Sequence, residues 1–212
     1  MDLRYLRENS DEVWAKTLEH LSLSLTALAI ALPLAIVLGI LATRIRWLTA
    51  PVVTTVSILY TVPSFAFMAF LIPGFGIGRQ PALIMLVTYA QLFLVRNVIA
   101  GLKSVDPAIL EAARGLGMNE LQLFWKVWLP LAAPVIIAGI RTALLAIIAF
   151  ATLTGYIRAG GLGEIMFAGI GRNYPSQVLA GVIAVAGLAI VTDLLLRLLE
   201  LLTPVARARR AS

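Results

Sequence analysis

The run LSLSLTALAIALPLAIVLGILAT, residues 21–43, decides the class of fold. It contains no charged residue and lies between His20 and Arg44. A helix needs about 20 mostly apolar residues to cross the hydrocarbon core of a bilayer. Because the run is too long for the apolar core of a signal peptide, we predict a retained membrane-spanning helix.

The composition of the whole chain indicates an integral membrane protein. Of its 212 residues, 60% are hydrophobic and 13% are charged, whereas a soluble domain has about 25% charged residues. This excludes a soluble enzyme, a disordered chain and a nucleic-acid-binding module, so the net charge of +6 is assigned to loops that meet membrane lipid. With one histidine and no cysteine, we expect no metal and no cofactor.

Other uncharged stretches predict four more helices, which makes an all-α integral membrane protein. Residues 1–20 mix both charges with Trp14, so we expect an N-terminal interfacial segment with a helix from Arg4 to Glu19. Residues 21–202 would form one transmembrane domain and residues 203–212 a basic tail. The five spans are predicted near 21–43, 51–72, 82–102, 129–156 and 177–201.

The distribution of lysine and arginine favours one orientation. With the N-terminus outside, eight basic residues fall in inside segments and six in outside segments. The positive-inside rule therefore places the N-terminus outside and the C-terminus in the cytoplasm.

The most informative polar segment is KSVDPAILEAARGLGMNELQLFWKVWLP, residues 103–130, between the third and fourth spans. Asp106 followed by Pro107 is typical of a helix start, because the carboxylate caps free N–H groups and proline needs no partner at the first helical position. Gly115 and Gly117 then predict the end of that helix.

A second short helix is predicted directly after the first. Asn119 and Gln122 have the spacing of a capping box, and Pro130 is expected where this helix meets the bilayer. The product is a helix–turn–helix on the membrane surface. Its small residues Ala112 and Ala113 suit close docking into a groove of another protein.

This segment resembles the EAA signature of ABC-importer permeases, E-A-A-x3-G-x9-I-x-L-P. Val127 replaces the isoleucine, and the other positions match: Glu111, Ala112, Ala113, Gly117, Leu129 and Pro130. Further stretches within residues 15–205 resemble the osmoprotectant branch of that family: TVPS at 61–64, LIPGFGIG at 71–78, VRN at 95–97, GLKSVDP at 101–107, GIRTA at 139–143 and AGGLG at 159–163.

The resemblance implies a MetI-like permease of a bacterial inner membrane that transports glycine betaine, choline or carnitine. It implies that residues 103–130 hold a cytoplasmic coupling helix, moved by two copies of an ABC ATPase subunit. It also implies that the glycine-rich residues 158–177 contact an extracytoplasmic substrate-binding protein. The expected ATPase-coupling residues are Glu111, Ala112, Ala113, Gly115, Gly117, Leu129 and Pro130.

The chain has no G-x-x-x-x-G-K-[ST] run, so ATP hydrolysis is assigned to the separate ATPase and we expect no catalytic residues. Five helices do not easily enclose a channel for a solute. We therefore expect a second permease subunit, as a homodimer or a heterodimer with a paralogue.

Pro63 removes a backbone hydrogen bond in the second span and predicts a kink. The kink is either a packing feature or, with Tyr60 and Ser64, part of the lining and gate of the translocation path. Nearby rings are interpreted as lipid-facing or core aromatics rather than a cation cage: Phe65, Phe67 and Phe70.

Five charged residues fall within the predicted spans, and four of them lie away from the span ends. An ionised side chain in the bilayer is costly, so Arg96 and Arg141 should each face a partner or a wet cavity. Asp193 and Arg197 are four residues apart, the helical spacing that lets them pair. We predict a structural role for all four.

Two alternative functions stay open at this point. The first is an ABC permease for methionine, another amino acid or another small solute. The second is an ion-coupled secondary transporter, a class that often shows internal repeats and midplane ionisable residues, although no clear repeat is visible in this sequence.

Overall fold

The computed structural model describes residues 3–202, and within them the chain forms ten α-helices and no strand. The predicted basic tail, residues 203–212, lies outside the described residues. The helices are α1 (Arg4–Glu8), α2 (Ser10–Arg44), α3 (Thr49–Thr61), α4 (Ser64–Phe75), α5 (Arg79–Lys103), α6 (Pro107–Gly115), α7 (Glu120–Leu123), α8 (Leu129–Thr154), α9 (Leu162–Gly171) and α10 (Pro175–Leu202).

Four stretches of helix are long and apolar enough to cross a membrane, and a bent helix pair adds a fifth. This confirms the predicted all-α membrane architecture with about five spans. The four are Ser10–Arg44, Arg79–Lys103, Glu120–Ile157 and Pro175–Leu198, and the bent pair is Arg46–Thr61 with Ser64–Phe75.

The helix predicted over Arg4–Glu19 is divided differently in the structure. Helix α1 ends at Glu8, and α2 runs without interruption from Ser10 into the first span. The hydroxyl of Tyr5 donates a 2.7 Å hydrogen bond to Glu12, which ties the two helices together. Burial and this carboxylate raise the pKa of Tyr5 to about 12, so the phenol keeps its proton.

Helices α2, α5 and α8 form the centre of the bundle, and small residues let their backbones approach closely. A Cβ atom on Gly39 would lie 2.4 Å from Val98, and one on Gly139 would lie 2.2 Å from the Cβ of Asn97. Lipid tails are as apolar as leucine, so close packing of this kind is what holds helices together in a bilayer.

The two ends of the bundle carry different structures. Arg44 at the end of α2 lines a recess with Glu120, so residues 104–123 lie at what we call the loop end. At the opposite end, called the far end, Lys16 Nζ lies 2.7 Å from Glu19 and 2.5 Å from Glu164.

The glycine-rich segment after α8 is fastened at the far end. The carboxylates of Glu19 and Glu164 accept hydrogen bonds from the N–H groups of Gly161 and Gly160, each at 3.0 Å. His20 is fully buried; its Nδ1 accepts from the N–H of Leu162, which leaves Nε2 protonated to donate to the carbonyl of Ile148 at 3.0 Å. The N-terminal part of α2 is therefore bonded to both α8 and α9.

Candidate coupling segment and translocation path

The first half of the candidate coupling segment, residues 103–130, folds as its sequence predicts. The side chain of Asp106 caps α6 by accepting from Ala108 N–H at 2.8 Å, and Pro107 occupies the first turn. Gly117 is left-handed, with φ +81°. Its N–H donates to Arg114 and that of Met118 to Ala113, which is the Schellman pattern of helix ends.

Gly115 is the last residue of α6, and Gly117 takes the left-handed conformation at this helix end. One detail of the prediction is corrected. The predicted second helix is not separate from the fourth span: Glu120–Ile157 is one continuous stretch of helix. Pro130 thus lies inside this stretch.

The continuous helix Glu120–Ile157 starts with the predicted capping box and then contains a wider, π-helical turn. Asn119 and Gln122 make both reciprocal bonds of the box. A π-helical turn at Phe124–Trp128 follows, directly before Pro130, whose missing N–H disturbs the regular bonding of an α-helix. The indole of Trp128 donates to the carbonyl of Leu102 at 2.8 Å, which fixes this turn to the end of α5.

Helix α6 has an inward face and an outward face. Ala113 is buried, and Leu110 packs on the apolar cluster under the helix. The outward face is also apolar: Ile109 is 44% exposed, Leu116 is 81% exposed, and Ala112 is exposed between them. Residues at these spacings share one side of a helix, so α6 and its C-cap residue Leu116 present an exposed apolar stripe. An exposed apolar surface of this kind is typical of a docking site.

The charged side chains beside α6 make a polar rim. Arg114 Nε lies 3.0 Å from Glu120 Oε1, and this ion pair bridges the turn between α6 and α7. Glu111 is exposed on α6 itself. Next to the pair a recess of about 410 Å³ separates the ends of α2 and α7, with Arg44 and Leu121 in its lining.

The second span is broken at the predicted path residues, which is a larger change than the expected kink. The axes of the two halves differ by 94°. The residue before a proline is pushed out of the helical region, and both Val62 and Pro63 have extended ψ angles, 127° and 131°. Helix α3 rises only about 20 Å, so the break falls within the thickness of a bilayer.

Tyr60, Pro63 and Ser64 have different surroundings at this break. Tyr60 packs in a group of rings, with centroids 5.5 Å from Tyr89 and Phe93 and 6.0 Å from Phe150. Pro63 is exposed and Ser64 is half-buried. Pro63 and Ser64 are thus accessible at the surface of this subunit, whereas the Tyr60 ring packs against the rings behind the break.

Tyr89 is a residue of the break that sequence analysis did not identify. Its hydroxyl donates a hydrogen bond to the carbonyl of Val62, which the break leaves without a helical partner. The ring is buried and stacks on Phe67 at 5.8 Å. Because a free carbonyl in the membrane interior is costly, Tyr89 stabilises the broken conformation.

We expect Tyr89→Phe to lower the free energy of unfolding by about 1–3 kcal/mol, since a buried carbonyl loses its donor while the ring packing stays. Thermal unfolding of the purified permease in detergent measures this loss. Tyr156→Phe is the matched control, because the Tyr156 ring is 65% exposed and water can replace its hydroxyl. Equal melting temperatures for wild type and Tyr89→Phe would contradict this role.

Each of the four charged residues predicted to be structural has a partner: Arg96, Arg141, Asp193 and Arg197. Arg96 donates to the hydroxyl of Ser57 at 2.9 Å and so links α5 with α3. Asp193 lies between two arginines, 3.3 Å from Arg141 and 2.7 Å from Arg197. The contact with Arg197 is within α10, whereas the contact with Arg141 joins α10 to α8 and was not predicted.

We expect Asp193→Asn to destabilise the permease by about 1–2 kcal/mol, because it weakens an ion pair that is partly shielded from water. Arg197→Gln should cost clearly less, since the Arg197 side chain is 58% exposed against 21% for Asp193. Melting temperatures of the two variants make the comparison. A larger fall in melting temperature for Arg197→Gln than for Asp193→Asn would contradict a stabilising role for the Arg141–Asp193 contact between α8 and α10.

A membrane bundle with a broken span and an exposed apolar stripe at one end has the features of a membrane transport protein. The chain belongs to the family "binding-protein-dependent transport system inner membrane component", whose model matches residues 24–202. It is thus a permease component of a membrane transport system.

Curated relatives match over nearly the whole chain. The carnitine transport permease protein OpuCB of Listeria monocytogenes is 42% identical over 201 residues, 94% of this chain and 92% of that protein. The choline transport system permease protein OpuBB of Bacillus subtilis is 38% identical over 208 residues, 98% of this chain and 96% of that protein. The osmoprotectant import permease protein OsmW of Salmonella typhimurium is also 38% identical, over 95% of this chain and 97% of that protein.

Solved structures show the same fold. An amino acid ABC transporter crystallised with histidines matches with a TM-score of 0.73 at 16% identity, over 94% of this chain and 96% of that one. The inward-facing MetNI methionine ABC transporter matches with a TM-score of 0.66 at 24% identity, over 93% of this chain and 98% of that one. At such identities the likeness concerns the fold and not the cargo, so the methionine alternative gains nothing from it. Membership of the family disfavours the ion-coupled transporter.

Proposed function

We propose that this chain is the membrane-spanning subunit of an ATP-driven importer for quaternary-amine osmoprotectants such as glycine betaine, choline and carnitine. The observation that carries the proposal is the near-full-length identity of 38–42% with permeases named for choline, carnitine and osmoprotectant transport. The MetI-like fold supports the same class.

The ATPase subunits dock at the loop end. The exposed stripe of Ile109, Ala112 and Leu116, with Glu111 and Ala113 completing the E-A-A sequence, offers a ridge of small and apolar side chains for a groove on that partner. Each permease subunit has one such ridge, and each ridge binds one ATPase subunit. A transporter with two permease subunits therefore contains two ATPase subunits. The chain has no P-loop sequence, so the energy of nucleotide hydrolysis enters through this contact.

Movement of α6 is transmitted to the membrane-spanning helices through side-chain contacts. Trp128 ties the start of the Glu120–Ile157 stretch to α5, and Arg114 ties α6 to Glu120. A push on α6 therefore moves the central helices as a unit, which is the rigid-body type of switching. Gly117, Leu129 and Pro130 shape the connection, and the break at Pro63 and Ser64 lies on the path that opens.

The proposed assembly is supported by the number of spans, because about five helices do not easily enclose a channel for a solute. A second permease, a copy or a paralogue, completes the channel, and a substrate-binding protein delivers the solute at the far end, where the glycine-rich segment lies. The loop end faces the cytoplasm in this assembly. The N-terminus is then outside, the C-terminus inside, and the protein lies in a bacterial plasma membrane.

Uptake by the reconstituted transporter tests the proposal. Proteoliposomes that hold the permease with its ATPase and binding protein should take up labelled glycine betaine with internal ATP, and excess choline or carnitine should compete. A protonophore should leave uptake unchanged. Competition by methionine alone, or uptake that a collapsed ion gradient abolishes, would contradict the assignment.

A further inference from the structure

Three aromatic rings from three different elements converge at the far end. Phe65 comes from α4, Tyr156 from the 3-10 turn Gly155–Ile157, and Phe167 from α9. The ring centroids of Tyr156 lie 5.6 Å from Phe65 and 5.5 Å from Phe167, and the third pair is 6.5 Å apart. All three pairs meet edge to face, and the group is called the aromatic triad below.

Two rings of the triad, Phe65 and Tyr156, line a recess on the outside of the subunit, and Phe167 packs against both of them. The volume of the recess is about 330 Å³, at the lower end of the range for small-molecule sites. Phe65 is 45% exposed and Tyr156 is 65% exposed, so ring surface is available to a ligand. The described lining contains no charged side chain: Phe65, Met68, Ala69, Ile72, Tyr156 and Ile157.

The turn that carries Tyr156 is held in place by its backbone. A Cβ atom on Gly155 would lie 2.3 Å from the backbone of Gly163, so α8 and α9 cross here without room for a side chain. The N–H groups of Arg158 and Ala159 donate back to Gly155 and Thr154 at 3.1 and 3.2 Å. The exposed ring is thus presented by a rigid support, which lowers the entropic cost of binding a ligand.

An isolated ring in the same helix looks different. Phe70 of α4 is 79% exposed, and none of the described rings packs against it. An isolated exposed ring of this kind offers a single face to a ligand and no neighbouring ring. The triad differs because its rings pack on one another and two of them line a recess, and this makes Phe70 a matched control.

We propose that Phe65 and Tyr156, supported by Phe167, form a transient binding site for the trimethylammonium group of the solute at the far end of the path. The inference rests on the proposed function for its ligand. Ring faces attract such a cation by their quadrupole, and converging rings are how quaternary ammonium groups are recognised. Without a carboxylate in the lining the binding stays weak, as a site on a transport path requires, because a solute held tightly would not leave.

Fluorine NMR of the assembled transporter tests the site without using transport as its readout. 4-Fluorophenylalanine is placed at position 65, 156 or 70, in nanodiscs of phosphatidylethanolamine and phosphatidylglycerol, which carry no trimethylammonium headgroup. Tetramethylammonium chloride is then titrated, with tert-butyl alcohol as the uncharged probe of the same shape and sodium chloride as the salt control.

We expect a saturable shift of the labels at positions 65 and 156 with tetramethylammonium only, and no shift at position 70. In the sample labelled at 65, Tyr156→Leu should raise the half-saturating concentration about two- to fivefold, the value of one exposed cation–π contact, whereas Tyr156→Phe should leave it unchanged. Equal shifts with tert-butyl alcohol would reduce the site to an apolar recess and overturn the proposal.

The NMR titration and the uptake measurement together distinguish a failure of this site from a failure of the proposed function. No response of either label, in a transporter that still takes up glycine betaine, overturns the site alone. Saturable shifts together with failed uptake of every quaternary amine would retain the site and contradict the importer assignment. A response seen only in the isolated permease, and lost in the assembled transporter, would mean that a partner subunit covers the rings and would overturn the site.

Discussion

Two arginines on the outward face of α6, in an Ala112→Arg/Leu116→Arg variant, should abolish binding of the ATPase subunit. Both positions are exposed in the permease, so the variant can fold normally. In the complex, the same side chains would bring two uncompensated charges into an apolar contact, which costs several kcal/mol. We expect the ATPase that copurifies with the permease to fall at least tenfold, and ATP-driven uptake to fall with it.

The matched control for this variant is Ile77→Arg. Ile77 is 68% exposed, close to the 81% of Leu116, but it lies in the loop between α4 and α5 at the far end. This variant should bind the ATPase as the wild type does. Retention of the ATPase by the double variant, or equal loss of it in Ile77→Arg, would contradict the claim that the α6 stripe binds the ATPase.

The second large effect is expected at Gly163, where α9 crosses the end of α8. A Cβ atom there would lie 2.0 Å from the carbonyl oxygen of Thr152, and neither backbone can give way easily. Gly163→Ala must push α9 outward, which strains the bonds that His20 and Glu19 make to the neighbouring N–H groups. We expect a loss of about 3 kcal/mol or more, at or above the usual range for overpacking, seen as aggregation or a much lower melting temperature.

Gly187→Ala is the control for that substitution. Gly187 lies within α10, and a Cβ atom on it meets nothing within 4 Å in the described part of the chain. Alanine is a better helix former than glycine, so this variant should melt at the same temperature as the wild type or slightly above. Similar behaviour of the two alanine variants would contradict the close crossing of α8 and α9.

The sequence was sufficient for the features that depend on local chemistry. The apolar runs predict about five spans because bilayer thickness sets their length. Asp106, Asn119 and Gly117 predict the helix ends of the coupling segment, since caps and left-handed turns are decided by nearest neighbours. The outward stripe of α6 also follows from the helical spacing of Ile109, Ala112 and Leu116.

Features that depend on contacts between distant helices could not be predicted. Nothing next to Asp193 in the sequence indicates Arg141 as its partner across the bundle, because the i,i+4 pair with Arg197 already satisfies the local pattern. Tyr89 likewise lies 27 residues after the carbonyl it binds. The break at Pro63 was underestimated as a kink, since proline alone does not reveal that another helix supplies the missing hydrogen bond.

Cysteine labelling gives the most direct test of the central claim that α6 receives the ATPase on the cytoplasmic side. The chain has no cysteine, so Leu116→Cys and Ile77→Cys each carry a single thiol. A membrane-impermeant maleimide should label the first variant only in inside-out vesicles freed of the ATPase, and added ATPase should block it; the second variant should react only in spheroplasts. Labelling of Leu116→Cys in spheroplasts, or labelling that the ATPase does not block, would contradict the account.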